Sequence, residues 1–101
     1  MAQFDLYRNP NEETNTDVPY LLDVQHDLLD SLATRMVIPL RRDITPVSHL
    51  NPSVTVHGET LYLSTAEMAG ISTAMLGEHI DSLTAERQQI IAAIDFLVTG
   101  F

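Results

Sequence analysis

The sequence predicts a mainly β protein of the α+β type, a small barrel-like or curved antiparallel sheet with one long C-terminal helix packed on it. Three observations predict this. Five or more short segments alternate apolar with polar residues, or run apolar on both faces, between clusters of Pro, Gly, Asn and Asp. A single stretch, at the C-terminus, repeats its apolar residues with helical period. The chain has no internal repeat or low-complexity tract, so its 101 residues, 45% of them apolar, read as one domain (1–101) around one core.

In chain order, Gln3 to Tyr7 alternates, with Phe4 and Leu6 on one face, and reads as a first strand. Asn9 to Asp17 (NPNEETNTD) contains only turn formers and polar or acidic residues, a solvated connection into a strand over Val18 to Gln25. Pro19 places the start of that strand at an edge or past a bulge. Arg35 to Leu40 sets Met36, Ile38 and Leu40 against Val37 and Pro39, as in a strand covered on both sides for most of its length. Prolines 39, 46 and 52 make the next region a meander of short extended pieces. Val54 and Val56, a tight turn at Gly58-Glu59, and Leu61 with Leu63 form the clearest hairpin. Ser64 to Glu78 permits both helix and strand; a turn followed by a strand over Ile71 to Met75 is the expectation.

The last segment is a helix. Thr84 suits its N-cap, Glu86 its first turn, and Leu83, Ile90, Ile94 and Leu97 form one stripe toward the core. Phe96 falls on the other side with Ala85, Gln89 and Ala92, either as a casually exposed aromatic or as part of an interface. Gly100 suits the helix stop.

Between the second and third strands lies His26-Asp27-Leu28-Leu29-Asp30, two adjacent leucines among acids in an expected loop. Leucines there need a reason: packing beneath the loop, or a partner.

Charge narrows the function. Fourteen acids against five bases give a net charge of −9, and all five bases are arginines. With no lysine, Schiff-base chemistry and a phosphate-binding P-loop are excluded. Such a chain repels nucleic acid, whose recognition rests on clustered cations. The absence of cysteine fits a reducing compartment, and the start MAQFDLY has no signal-peptide pattern. No apolar run is long enough for a membrane span, so the expected location is the cytoplasm, with no membrane contact.

Candidates for chemistry are few. His26, His49, His57 and His79 have no metal-ligand spacing, no GxSxG elbow frames a serine, and Glu12-Glu13 lie in the polar connection. Arg41-Arg42 could hold a phosphate or, with Asp43 beside them, simply end a strand. The residues therefore favour a binding protein over an enzyme, with no catalytic residue, metal or cofactor.

The pieces QF-x-LY (Gln3 to Tyr7), LDVQ-x-DLLD (Leu22 to Asp30), TRMVIPL (Thr34 to Leu40), VHGE (Val56 to Glu59) and MLGE (Met75 to Glu78), with the helix ending at Gly100, resemble the CcdB family of toxins in order and spacing over nearly the whole chain. The resemblance implies a dimer with an SH3-like barrel, related to the MazF and Kid toxins. It also implies poisoning of DNA gyrase, by insertion between the A subunits with the DNA cleaved. A CcdA-like antitoxin with a disordered C-terminal segment would neutralise the toxin, and operator DNA would be bound only by the pair, which represses its own operon.

Carried onto this sequence, the resemblance assigns the gyrase-facing surface to Leu28, Leu29, Asp30, Asp95, Val98, Thr99, Gly100 and Phe101, and the dimer contact to the region of Leu97. The tail departs from the best-known members, which end Trp-Gly-Ile with the tryptophan stacked on a gyrase arginine. Here Thr99-Gly100-Phe101 stands in its place, and Asp95 replaces a neutral asparagine. Losing a cation–π contact of about 0.5–2 kcal/mol weakens binding roughly two- to thirtyfold unless Phe101 supplies an alternative aromatic contact. Two rival readings remain, a MazF-type endoribonuclease and a homologue that no longer kills.

Overall fold

The computed structural model describes residues 1–100; Phe101 lies outside the described residues. Seven strands are formed: β1 (Asp5–Arg8), β2 (Tyr20–Asp23), β3 (Thr34–Arg41), β4 (Ser53–Val56), β5 (Glu59–Leu63), β6 (Ala69–Ser72) and β7 (His79–Ser82). One helix, α1 (Arg87–Thr99), follows. The sheet order is β4-β5-β3-β2-β1-β7, with β6 beside the first half of β3, and every pairing is antiparallel. This is the expected curved sheet with its single C-terminal helix.

Strand β3 is the hub. Its Asp23-to-Tyr20 partner β2 lines one edge, while the other edge is shared between β6 along Thr34–Val37 and β5 along Leu40–Arg41. Pro39 stands where the partner changes. Its carbonyl, which accepts from the Ser64 N–H at 2.9 Å, faces that seam, so the missing proline N–H removes no ladder bond. The coverage of β3 on both faces is borne out at Val37, Ile38 and Leu40, all buried; Met36 is exposed.

The core is one cluster built from alternate residues of the strands, Leu6, Leu22, Ile38, Leu40, Leu61 and Leu63, closed by Leu83 and Ile90. Phe4 joins it from a backbone at φ 71°, held by its N–H to the Asp23 carbonyl and by the Leu83 N–H to its own carbonyl. The first strand consequently begins at Asp5, after this kink, and not at Gln3.

Several expectations shift. The hairpin turn is His57-Gly58, with φ 50° and 81°, one residue earlier than Gly58-Glu59; a two-residue turn of this hand matches the strand twist. The strand expected at Ile71 to Met75 occupies Ala69–Ser72, and Thr73–Met75 makes a 3₁₀ turn capped by the Ser72 hydroxyl. Strand β7 was not expected: HIDS is short and largely polar, and pairing with β1 makes it a strand. Thr84 opens a 3₁₀ turn and does not cap α1, whose N-cap position is Glu86. Along α1 the stripe is buried at Ile90 and half-buried at Ile94, Ala93 joins the core, and Leu97 is left exposed. Phe96 is half-buried, its ring 5.9 Å from that of His49. Gly100 ends the helix in the left-handed region at φ 80°, its N–H bonded to the Phe96 carbonyl, as expected.

Candidate functional site

The connection from β2 to β3 carries a 3₁₀ turn, Asp27–Leu29, in which no residue is buried. Leu28 is 87% exposed, Leu29 50% and Leu32 49%. Packing beneath the loop is thereby excluded as the reason for the leucines. Leu32 extends the apolar patch, and the sequence reading missed it, although the DLLD-x-L spacing was there to see.

The turn is held by polar contacts. The His26 imidazole accepts the Leu28 N–H at Nδ1 (3.0 Å), and the Asp27 carboxylate accepts the Gln3 N–H at 2.7 Å, tying the N-terminal segment to the loop. Gln25 donates Nε2 to the Leu29 carbonyl at 2.9 Å while its Oε1 accepts the Met36 N–H at 3.1 Å. Beneath them lies Arg35. Its guanidinium donates Nε and Nη2 to one oxygen of Asp23 at 2.8 and 2.7 Å, and Nη1 to Asp30 at 2.8 Å. Nη2 also reaches the Gln25 carbonyl at 3.3 Å.

Arg35 and Asp23 are 1% and 0% exposed. Burial pushes the Asp23 carboxyl above its ordinary value, opposed by the Arg35 hydrogen bond and the Gln25 N–H. Burial disfavours the charged guanidinium too, but Asp23, Asp30 and Asp27 outweigh it and raise the Arg35 pKa. The sequence offered a signal for this pair: one acid and one base, each in a strand predicted to be largely covered.

The second patch is the last turn of α1. Asp95, Val98 and Thr99 share one face at i, i+3 and i+4; all are exposed, Val98 at 72%, and Gly100 follows in the open. The Thr99 hydroxyl donates back to the Asp95 carbonyl at 2.7 Å, leaving its methyl and the Val98 side chain as the apolar surface there. Among the described residues no hydrogen bond or ion pair links this turn with the 26–32 loop. The structure thus gathers Leu28, Leu29 and Asp30 on one element and Asp95, Val98, Thr99 and Gly100 on another.

The remaining candidates are occupied structurally. Arg41 pairs with Asp43 and Glu67, Arg42 with Glu59, and Arg8 with Glu78. Arg41-Arg42 is therefore a tied-down strand end. His79 Nε2 lies 3.2 Å from Asp5, and His57 sits in the hairpin turn. Among the described residues no group of His, Asp and Glu is arranged to hold a metal. A trough of about 490 Å³ crosses the sheet face opposite the core, lined by Val18, Leu21, Val37, Pro39, Ile71 and Met75. Its charged residues, Arg41 and Glu67, neutralise one another. Among the described residues no helix is long and apolar enough to cross a membrane.

A small barrel-like sheet that presents apolar residues on one buttressed turn and on the end of its C-terminal helix is a fold suited to binding a partner. The model of the CcdB family (CcdB protein) matches residues 3–100, and the chain belongs to that family, whose members are toxins of toxin–antitoxin modules. Among solved structures the fold is similar to that of an endoribonuclease in complex with its cognate antitoxin from Mycobacterial species. That match has a TM-score of 0.79 and 13% identity, and it covers 97% of this chain and 94% of the other. At that identity the likeness is one of fold.

Proposed function

We propose that this chain is the toxin of a type II toxin–antitoxin module, binding the DNA gyrase A subunit and trapping the gyrase–cleaved DNA complex. The observation that carries this is the outward placement of Leu28 and Leu29. Every backbone and carboxylate contact of that turn serves to hold it, and none buries the leucines, so their apolar surface is left for a partner. Val98 and Thr99 add a second contact at the helix end, and Phe101 supplies the aromatic ring that Thr99 lacks.

The protein acts as a homodimer, with Leu97 in the two-fold contact, in the cytoplasm where gyrase works. A CcdA-like antitoxin binds it and prevents killing. Operator DNA is reached only through that complex, since four of the five arginines are already paired with acids on a chain of net charge −9. The same pairing weighs against a MazF-like endoribonuclease, which needs free cations along an RNA backbone. It supports a protein that performs no chemistry of its own. Thr99 favours the other rival, a homologue that keeps its antitoxin and no longer poisons.

The test is a cleavage assay: purified protein, gyrase, ATP and supercoiled plasmid, scored for linear DNA after denaturation. Linear DNA accumulates with the native chain and is lost with Leu28→Asp. The melting temperature of that variant stays unchanged, because a surface substitution costs within about 0.5 kcal/mol. No linear DNA at micromolar protein, with a folded dimer, sinks the poisoning assignment. Cleavage of single-stranded RNA that requires Arg41 or Arg42 would establish the ribonuclease instead.

A further inference from the structure

We propose that Arg35 and Gln25 are positioning residues for the 26–30 turn: they meet no partner themselves, and they fix Leu28 and Leu29 in the arrangement that a partner reads. The inference rests on the reading of those leucines as partner contacts. A turn of three 3₁₀ residues with nothing buried has too few internal bonds to order itself. Its order comes from outside: Gln25 holds the Leu29 carbonyl, and Arg35 holds the Asp30 carboxylate.

Both clamping side chains are buried, Arg35 at 1% and Gln25 at 9% exposure, beyond the reach of any docked protein. Neutralising the buried Asp23 accounts for Nε and Nη2 of Arg35. It does not account for Nη1, which points up to Asp30, a carboxylate 57% exposed and needing no neutralisation. Only a planar, multiply donating group joins Asp23, the Gln25 carbonyl and Asp30 at once, which is why arginine suits this position and lysine does not. Gln25 repeats the same logic with its two ends, one oxygen on the β3 backbone and one N–H on the turn. A preorganised turn meets its partner without an ordering cost, so the clamp acts on affinity as well as on folding.

The test is a double-mutant cycle with Gln25→Glu, which keeps the acceptor for the Met36 N–H and loses the donor to Leu29, combined with Leu28→Ala. Arg35→Lys serves as a second clamp variant. Amide exchange is followed by NMR, and binding is measured to an N-terminal fragment of the gyrase A subunit. With Gln25→Glu the amides of Leu28, Leu29 and Asp30 exchange about tenfold faster while those of Ile38 and Leu40 are unchanged. Binding weakens about tenfold, and Leu28→Ala costs less in this background than in the native chain. A residue that only stabilises the fold lowers the melting temperature and leaves the cost of Leu28→Ala the same in both backgrounds; that result overturns the proposal, as does unchanged exchange in the loop. If the native chain binds no gyrase A fragment, the gyrase reading falls, and the exchange rates alone decide the clamp.

Discussion

Replacing Arg35 by Met tests the part of the structure on which both the sheet and the exposed 26–30 turn depend. The substitution keeps an unbranched side chain of fair size and removes the one cation that, among the described residues, lies within hydrogen-bonding reach of Asp23, a carboxylate with no exposed surface. Breaking a buried pair on one side costs about 3–5 kcal/mol, because the remaining charge is stranded in a poorly polarisable interior. Against a total stability of about 5–15 kcal/mol for a domain of this size, that is a loss of roughly a fifth or more. At about 5 °C per kcal/mol the melting temperature falls by about 15–25 °C, read by circular dichroism at one fixed protein concentration so that any dimer dissociation is held constant.

The pH dependence has a definite sign. In the variant, burial and the charge of Asp5 act on Asp23 against the Gln25 N–H alone, so its folded pKa stands above its unfolded value and the native state holds the extra proton. The penalty is full above the raised pKa and shrinks as pH falls through it toward the ordinary carboxylate range. The double substitution Arg35→Met with Asp23→Leu removes the stranded charge and recovers most of the loss at neutral pH. A single variant that melts within about 5 °C of the native chain at pH 7, or a penalty that does not change with pH, would refute the reasoning.

Two further outcomes concern the scaffold. Tyr7 has its pKa pushed up to about 12 from 10.0 by burial, and then by the charges of Asp5 and Asp23. The native state therefore keeps the phenolic proton where the unfolded chain loses it. This contribution is intact below pH 10 and lost as pH rises toward 12, so Tyr7→Phe should flatten the fall of stability between pH 9 and 11 in denaturant melts; equal slopes would count against it. At Gly77 a Cβ would meet the Arg8 carbonyl oxygen at 2.6 Å and its Cβ at 3.2 Å, on the same carbonyl that accepts the Gly77 N–H. Gly77→Ala should push this segment off the end of β1 and cost about 1–3 kcal/mol, seen as a melting shift of about 5–15 °C. An unshifted melt would mean that the segment moves aside freely.

Local patterns carried much of this protein. The alternation of Val54, Val56, Leu61 and Leu63 fixed the hairpin to within a residue, because a half-buried strand must expose every second side chain. Gly100 announced the helix end, because few other residues adopt its backbone angles. The DVQ-x-DLLD and RMVIPL blocks were enough to point to the family. Leu28 and Leu29 stood out as leucines without a core.

What the sequence did not carry was long-range. HIDS became a strand because β1 offered it an edge, and nothing within those four residues encodes that edge. Thr84 had the chemistry of a cap and lost the position to a 3₁₀ turn. The helical stripe ran past the sheet, so Leu97 kept its place in the pattern and lost its burial. Sequence by itself determined the number and kind of most elements and the family, since periodicity and turn chemistry act between near neighbours. Only the tertiary structure decided that Asp23 and Arg35, twelve positions apart, form a buried ion pair, and that the leucines above them face outward. Charge pairing and exposure depend on which distant strands close over a residue, and that is settled when the sheet curls around its core.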